Sequence, residues 1–173
     1  MDDTEQRALE AVQRLDYDFR QFTLPHFIQY LEKRRGHPIV VNEFTFIDVG
    51  NHAAWIGLGH ADYIFYDAET HPVHQVHSIL HECGHMVLGH TGEDLKALLS
   101  DELLQALHEL TAPLRGRMRA TYPWDDPQER EAEAFVRFLQ REILVANRLE
   151  QLTKRASSIH DLARFASKLG YND

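Results

Sequence analysis

Apolar positions recur with a helical period along the first 36 residues. Residues 4–20 carry a thin apolar stripe between charged positions, which predicts one amphipathic helix. A second predicted helix covers about 23–34, and Gly36 follows it as the glycine expected at a helix C-terminus. We therefore expect two N-terminal helices within 1–36.

The pattern changes to short runs typical of strands after residue 38. β-Branched and aromatic residues are concentrated at 39–41, 44–47, 54–56 and 63–66. Gly57, Gly59 and the turn that leads to Asp62 predict that the last two runs form a hairpin. We expect three short antiparallel strands, with 62–67 as an edge strand that could pair with a peptide.

Helical patterns return after residue 71 and continue towards the C-terminus. The predicted helices cover 72–89, 93–111, 127–147 and 158–168, with a loop-like segment at 112–126. Helices before and after a small group of strands are typical of an α+β fold rather than of alternating βαβ units. We expect a single domain over 1–173, with N-terminal helices at 1–36, a core at 38–147 and a C-terminal helix at 148–173.

The segment HECGH at 81–85 is an HExxH motif within the predicted helix at 72–89. Histidines four residues apart lie on the same side of a helix, so both imidazoles can bind one zinc ion. Glu82 lies beside them, where it can take a proton from a water molecule. The motif therefore predicts His81 and His85 as metal ligands and Glu82 as the catalytic base.

Other histidines lie near the motif. His74 and His77 share the helix face of His81 and His85, opposite an apolar face. We interpret His74 and His77 as exposed residues of the first turns, with additional metal ligands or residues that line a substrate cleft as the alternatives. His90 lies roughly 140° from His85 around a helix axis, so we do not expect it to bind the same metal.

A catalytic zinc ion usually has three protein ligands and one open position. The third ligand is expected at the start of the 127–147 helix, where Glu129 and Glu131 are both available. Glu129 also fits a capping box with Asp126, which is a purely structural explanation for it. Glu129 and Glu131 flank the apolar stripe of this helix about equally, so helical phase leaves both open as ligands.

Composition restricts the class of protein. The 173 residues include 18 Lys+Arg and 27 Asp+Glu, a net charge of −9, which argues against a nucleic-acid-binding surface. The lone cysteine cannot form an internal disulfide, which fits a reducing compartment. No segment has the pattern of a signal peptide or a membrane span. We expect a cytoplasmic protein that binds neither nucleic acid nor membrane directly.

Two motifs together resemble the ImmA/IrrE-type zinc metallopeptidases, which are often paired with helix-turn-helix repressors. HSILHECGHMVLGH at 77–90 is similar to the family's HELGHxLLxH segment. EREAEAFVRFL at 129–139 is similar to its E-x-(E/Q)-A-(N/D)-x-F-A segment. The strand region at 38–67 also resembles the small sheet of this family, so the resemblance covers about 38–145.

The resemblance implies a zincin-like α+β fold, in which a small antiparallel sheet packs against the HExxH helix. It implies one zinc ion per chain, bound by His81, His85 and Glu129, with Glu131 as the alternative third ligand and Glu133 as a polar partner behind the ligands. It also implies an endopeptidase that cleaves a protein, such as a helix-turn-helix repressor or an antitoxin-like regulator.

Two other functions remain open at this point. The chain could be a non-catalytic regulator that uses a zinc fold to sequester a repressor, or a metal-storage module that uses His71, His74 and His77. As an enzyme it needs a donor to stabilise the oxyanion. The residues eligible for that role are Tyr63, His108 and Tyr122.

Overall fold

The computed structural model describes residues 2–44, 52–57, 60–90, 93–94, 117–119 and 126–168. These residues form an α+β fold of four α-helices and a small mixed sheet. The helices are α1 (Asp3–Gln13), α2 (Leu24–Arg35), α3 (Pro72–Leu88) and α4 (Pro127–Lys168). The strands are β1 (Ile39–Phe44), β2 (Ala53–Gly57), β3 (Asp62–Asp67), β4 (Glu93–Asp94) and β5 (Arg117–Arg119).

The first predicted helix is shorter than expected. It ends at Gln13 rather than at residue 20, and a 3₁₀ turn follows at Phe19–Gln21. The Asp18 carboxylate accepts a hydrogen bond from the Arg20 backbone N–H at 3.1 Å. Such local bonding offers the backbone an alternative to a continuing helix. The second predicted helix is confirmed, and it ends at Gly36 in the left-handed conformation with φ 78°.

The sheet is mixed, so the prediction of three antiparallel strands was wrong. The strand order is β1-β3-β2-β5-β4. β2 and β3 form the predicted antiparallel hairpin, but β1 pairs in parallel with β3, from Ile39 opposite Asp62 to Phe44 opposite Asp67. The three strands do alternate in direction along the chain. Because β1 lies beside β3 rather than beside β2, it is paired with a strand that runs in the same direction.

This strand order also corrects the expected position of 62–67. β3 lies between β1 and β2, so it is not an edge strand available to a peptide. Part of the predicted 93–111 helix and part of the predicted 112–126 loop are in the sheet, because β4 pairs with β5 and β5 pairs with β2. The remainder of 93–111 lies outside the described residues.

The two predicted C-terminal helices are one continuous helix, α4, which spans 42 residues. No glycine or proline occurs between 128 and 168, so nothing in the chain interrupts the helical backbone. The apolar stripe of α4 is fully buried at Ala132, Phe135, Val136 and Leu139. This stripe packs against α1 and α3 in one hydrophobic core.

A buried ion cluster connects the end of α2, the sheet and α3. Asp62 is 1% exposed and forms a salt bridge with Arg35, while the Trp55 Nε1–H donates to Asp62 Oδ1 at 2.8 Å. Arg35 also donates to the Met86 carbonyl oxygen near the end of α3 at 3.3 Å. The cluster thereby holds the C-terminal half of α3 against the sheet.

None of the described helices combines the length and apolar character needed to cross a membrane.

Candidate metal centre

Helix α3 presents the HExxH motif in its C-terminal half. His71 caps the helix through its side chain, which accepts from the Val73 N–H, and Pro72 begins the first turn. The side chain of His85 is 2% exposed and that of His81 is 17% exposed, while Glu82 is also buried. Cys83 is fully buried in the hydrophobic core, as expected for a packed thiol.

Helices α3 and α4 approach closely at Gly84. A Cβ atom at this position would lie 3.1 Å from Phe135 Cδ1 and 3.3 Å from the Ala132 carbonyl oxygen. Both distances are shorter than ordinary van der Waals contact. The glycine of the HExxH motif thus allows the first turns of α4 to lie against the two histidines.

Three potential ligand atoms converge where α4 begins. Glu129 Oε2 lies 3.0 Å from His81 Nε2, and Glu129 Oε1 lies 3.5 Å from His85 Nε2. The two Nε2 atoms are 3.0 Å apart. Ligands about 2.0–2.1 Å from a tetrahedral zinc ion are about 3.3 Å from one another. His81, His85 and Glu129 could therefore hold a metal ion, and their spacing and donor types fit zinc.

Glu129 and Glu131, which helical phase could not separate, occupy different environments. Glu131 lies away from the three converging atoms, where its carboxylate accepts hydrogen bonds from His90 Nε2 at 2.9 Å and from Arg7 Nη1 at 2.8 Å. Residues two positions apart project about 200° apart around a helix axis. The packing of α3 on one side of the apolar stripe therefore places Glu129 beside the HExxH histidines and Glu131 on the far side.

Glu133 lies one helical turn beyond Glu129, behind His81. Its Oε2 atom is 3.6 Å from His81 Nδ1 and 3.1 Å from His77 Nε2. His77 is therefore a half-buried partner of Glu133, unlike the exposed first-turn residue that we expected, whereas His74 is exposed as predicted. Two histidines four residues apart on α3, at 77 and 81, face two glutamates four residues apart on α4, at 129 and 133. This equal spacing is the sequence pattern that could have predicted the contact between His77 and Glu133.

The carboxylates of α4 control the protonation of His81. Burial disfavours its imidazolium, but hydrogen bonds to Glu129 and Glu133 outweigh burial and raise the pKa of His81 to about 10. Burial likewise opposes ionisation of Glu129, yet the adjacent His81 and His85 hold the pKa of this carboxyl below its ordinary value. Hydrogen bonds from His77 and His81 lower the pKa of Glu133. Without a metal ion, His81 is a cation between two carboxylates.

His90 contacts the site from outside the helix, a role that the sequence reasoning missed. Gly89 ends α3 with φ 70°, and the His90 N–H donates to the His85 carbonyl oxygen at 3.0 Å. This chain reversal is a Schellman motif. It turns the His90 ring back so that its Nδ1 atom lies 2.8 Å from His85 Nδ1. The sequence feature that could have predicted this contact is Gly89, which ends the helix and allows the chain to reverse directly before His90.

The expected donors to an oxyanion are not all described. His108 and Tyr122 lie outside the described residues, and Tyr63 is half-buried on β3 with its ring stacked on Phe65 at 6.5 Å between ring centroids.

No family model, curated protein or solved structure matches the chain. The residues of the site are therefore the basis for inferring its function.

Proposed function

We propose that the chain is a zinc-dependent metallo-endopeptidase. The observation that carries this proposal is the convergence of His81 Nε2, His85 Nε2 and the Glu129 carboxylate beside a buried Glu82. Two imidazoles and one carboxylate are the ligand set of several catalytic zinc sites, and they leave one position open. A purely structural zinc site is normally closed by four protein ligands and needs no neighbouring general base.

In the proposed mechanism, His81, His85 and Glu129 hold the metal ion and Glu82 transfers protons. A zinc ion in this place supplies a Lewis acid that activates a water molecule and polarises the scissile carbonyl group. Glu82 takes the proton from the attacking water and later delivers it to the leaving amine, so that cleavage of the C–N bond yields a carboxylate and an amine. Glu133, 3.6 Å from His81 Nδ1, is the charged partner behind this ligand.

For the substrate, we propose a protein rather than a small molecule, following the resemblance to the ImmA/IrrE-type enzymes. A helix-turn-helix repressor or an antitoxin-like regulator in the cytoplasm is the specific expectation. The net charge of −9 suits a basic DNA-binding partner, because opposite charges accelerate association. No direct contact with nucleic acid or membrane is part of the proposal.

The test compares the wild-type chain with Glu82→Gln, which keeps the shape of the side chain but removes the base. Both proteins are expected to bind one zinc ion per chain, and only the wild type should cleave. We suggest expressing each in cells of the source organism and identifying newly formed protein N-termini by mass spectrometry. The exposed pair of Glu10 and Arg14 offers a matched control, Glu10→Gln, which should cleave like the wild type.

The outcomes separate the proposed enzyme from the sequestering regulator. New N-termini that depend on Glu82 support the peptidase. Identical N-termini with and without Glu82 contradict it. If neither protein cleaves, and both retain the same repressor in a zinc-dependent complex, the regulator replaces the peptidase as the function. Several weakly bound zinc ions per chain would instead favour metal storage.

A further inference from the structure

We propose that His90, Glu131 and Arg7 form a hydrogen-bonded chain that fixes the tautomer of His85, with the Nε2 lone pair directed at the candidate metal centre. The inference rests on the proposed function, because it concerns a ligand of the proposed zinc ion. His90 is a positioning residue in this arrangement, since it contacts a ligand and not the metal position.

The hydrogen-bonded chain is continuous from the candidate centre to the protein surface. His85 Nδ1 lies 2.8 Å from His90 Nδ1, and His90 Nε2 lies 2.9 Å from Glu131 Oε2. Glu131 Oε1 accepts from Arg7 Nη1 at 2.8 Å. The His85, His90 and Glu131 side chains are 2%, 3% and 5% exposed, and Arg7 is 61% exposed. Only the outer end of the chain is in water, so its inner hydrogen bonds compete little with solvent.

The direction of each hydrogen bond follows from the acceptor at the end of the chain. An ionised carboxylate can only accept, so His90 carries its hydrogen on Nε2. When His90 is the neutral imidazole with hydrogen on Nε2, its lone pair is on Nδ1, and this lone pair accepts from His85 Nδ1–H. His85 then has its lone pair on Nε2. This is the tautomer that a metal ligand coordinating through Nε2 requires.

One short stretch of α4 consequently serves both ligand histidines. Glu129 faces the metal position, Glu133 faces His81 directly, and Glu131 acts on His85 through His90. Carboxylate partners behind metal-binding imidazoles commonly fix ring orientation and increase ligand basicity. The unusual element here is the second imidazole, which spans the distance between His85 and the far side of α4.

The decisive variant is His90→Phe, which keeps a planar ring and removes both ring nitrogens. Its zinc affinity should fall about 10- to 100-fold, the usual effect of removing such a partner. His90→Gln keeps one donor and one acceptor and should recover most of the affinity. The matched control is His37→Phe, because His37 also pairs with a buried carboxylate, that of Asp62, away from the converging ligand atoms. Affinities are measured by competition with a chelator in the full-length chain.

A second measurement needs no metal and no activity. Nitrogen-15 NMR of the metal-free, histidine-labelled chain reports which ring nitrogen carries hydrogen, with His85 assigned by loss of its signals in His85→Ala. Wild type and His90→Gln should show His85 with hydrogen on Nδ1, and His90→Phe should lose this preference. If His90→Phe does not fold, the tautomer in the wild type still decides the proposal.

The proposed hydrogen-bonded chain is contradicted if wild-type His85 carries hydrogen on Nε2, or if His90→Phe leaves both the tautomer of His85 and the zinc affinity unchanged. A different result would contradict the metal centre itself. If His85→Ala and Glu129→Gln bind zinc as tightly as the wild type, the proposed centre is wrong and the inference falls with it. If they lose zinc while His90→Phe keeps the wild-type affinity and tautomer, the centre stands and the hydrogen-bonded chain does not.

Discussion

At the scale of single residues, His81 is enclosed by carboxylates that favour its protonated form. Its pKa is raised to about 10, above the ordinary histidine value of 6.5. A metal ion binds only the deprotonated nitrogen, so proton and metal compete for Nε2. The same carboxylates that attract a dication therefore make its binding dependent on pH.

We expect zinc affinity to increase about tenfold per pH unit between about pH 6 and pH 8, because each zinc ion must displace one proton from His81. The sign follows from the raised pKa: His81 is protonated throughout this interval, and the competing proton becomes scarcer as the pH rises. Chelator competition at fixed ionic strength measures the slope. Glu133→Gln removes one carboxylate that raises the pKa of His81, so its slope should flatten first near pH 8. An affinity that does not vary with pH would contradict this prediction.

At the scale of secondary-structure elements, the candidate centre depends on the distance between α3 and α4. Gly84→Ala should increase that distance, because its Cβ would lie 3.3 Å from the backbone oxygen of Ala132, which cannot rotate away. The gain in helix propensity is about 1 kcal/mol and overpacking costs about 1–3 kcal/mol, so the net effect is destabilising. Denaturant unfolding and zinc affinity should both decline.

A suitable comparison for Gly84→Ala is Val76→Ala, which also introduces alanine into α3 but at a position that is 37% exposed. This control should leave the zinc affinity unchanged. Equal zinc affinities for Gly84→Ala and the wild type would show that the close approach of the helices is not required to form the site.

Among the residues that the structure describes, two ion pairs connect α1 to α4, and they differ in the burial of the carboxylate. Arg7 pairs with Glu131, whose side chain is 5% exposed, whereas Arg137 pairs with Glu5, whose side chain is 36% exposed. Exposed pairs contribute about 0–1 kcal/mol, and the loss of a partner of a buried charge costs about 1–3 kcal/mol. Arg7→Gln should therefore reduce the free energy of unfolding more than Arg137→Gln, as measured by urea titration. The reverse order would contradict the burial argument.

At the scale of the whole molecule, the three proposed ligands connect two helices that lie far apart in the sequence. Binding that is restricted to the folded state stabilises it by about 4 kcal/mol when the ligand is a thousandfold above its Kd. We therefore expect zinc to raise the Tm by roughly 8–16 °C, at about 2–4 °C per kcal/mol for a chain of this size. Removal of zinc with a chelator should reverse the increase.

Two variants make this thermal shift specific to the proposed centre. Glu129→Gln removes a ligand and should lose most of the zinc-dependent increase in Tm. Glu82→Gln retains all three ligands and should keep that increase. Calorimetry with and without zinc measures both. A shift that survives Glu129→Gln would place the stabilising metal elsewhere in the chain.

Local features could be predicted from the sequence because they depend on few neighbouring residues. The bounds of α2 and α3, the β2–β3 hairpin and the common face of His81 and His85 all follow from periodicity and from glycine positions. The relation of β1 to β3 does not, because strand order depends on which edge of the hairpin receives β1.

The sequence by itself determined the pair His81 and His85, since a four-residue spacing on a helix aligns two side chains whatever surrounds them. The sequence favoured Glu129 over Glu131 only through the family resemblance, and only the tertiary structure gives the physical reason. Both flank the buried stripe of α4, and the side on which α3 packs decides which carboxylate meets the histidines. The contact of His90 with His85 has the same origin. It depends on how the chain turns after Gly89 and on what α4 then places behind it.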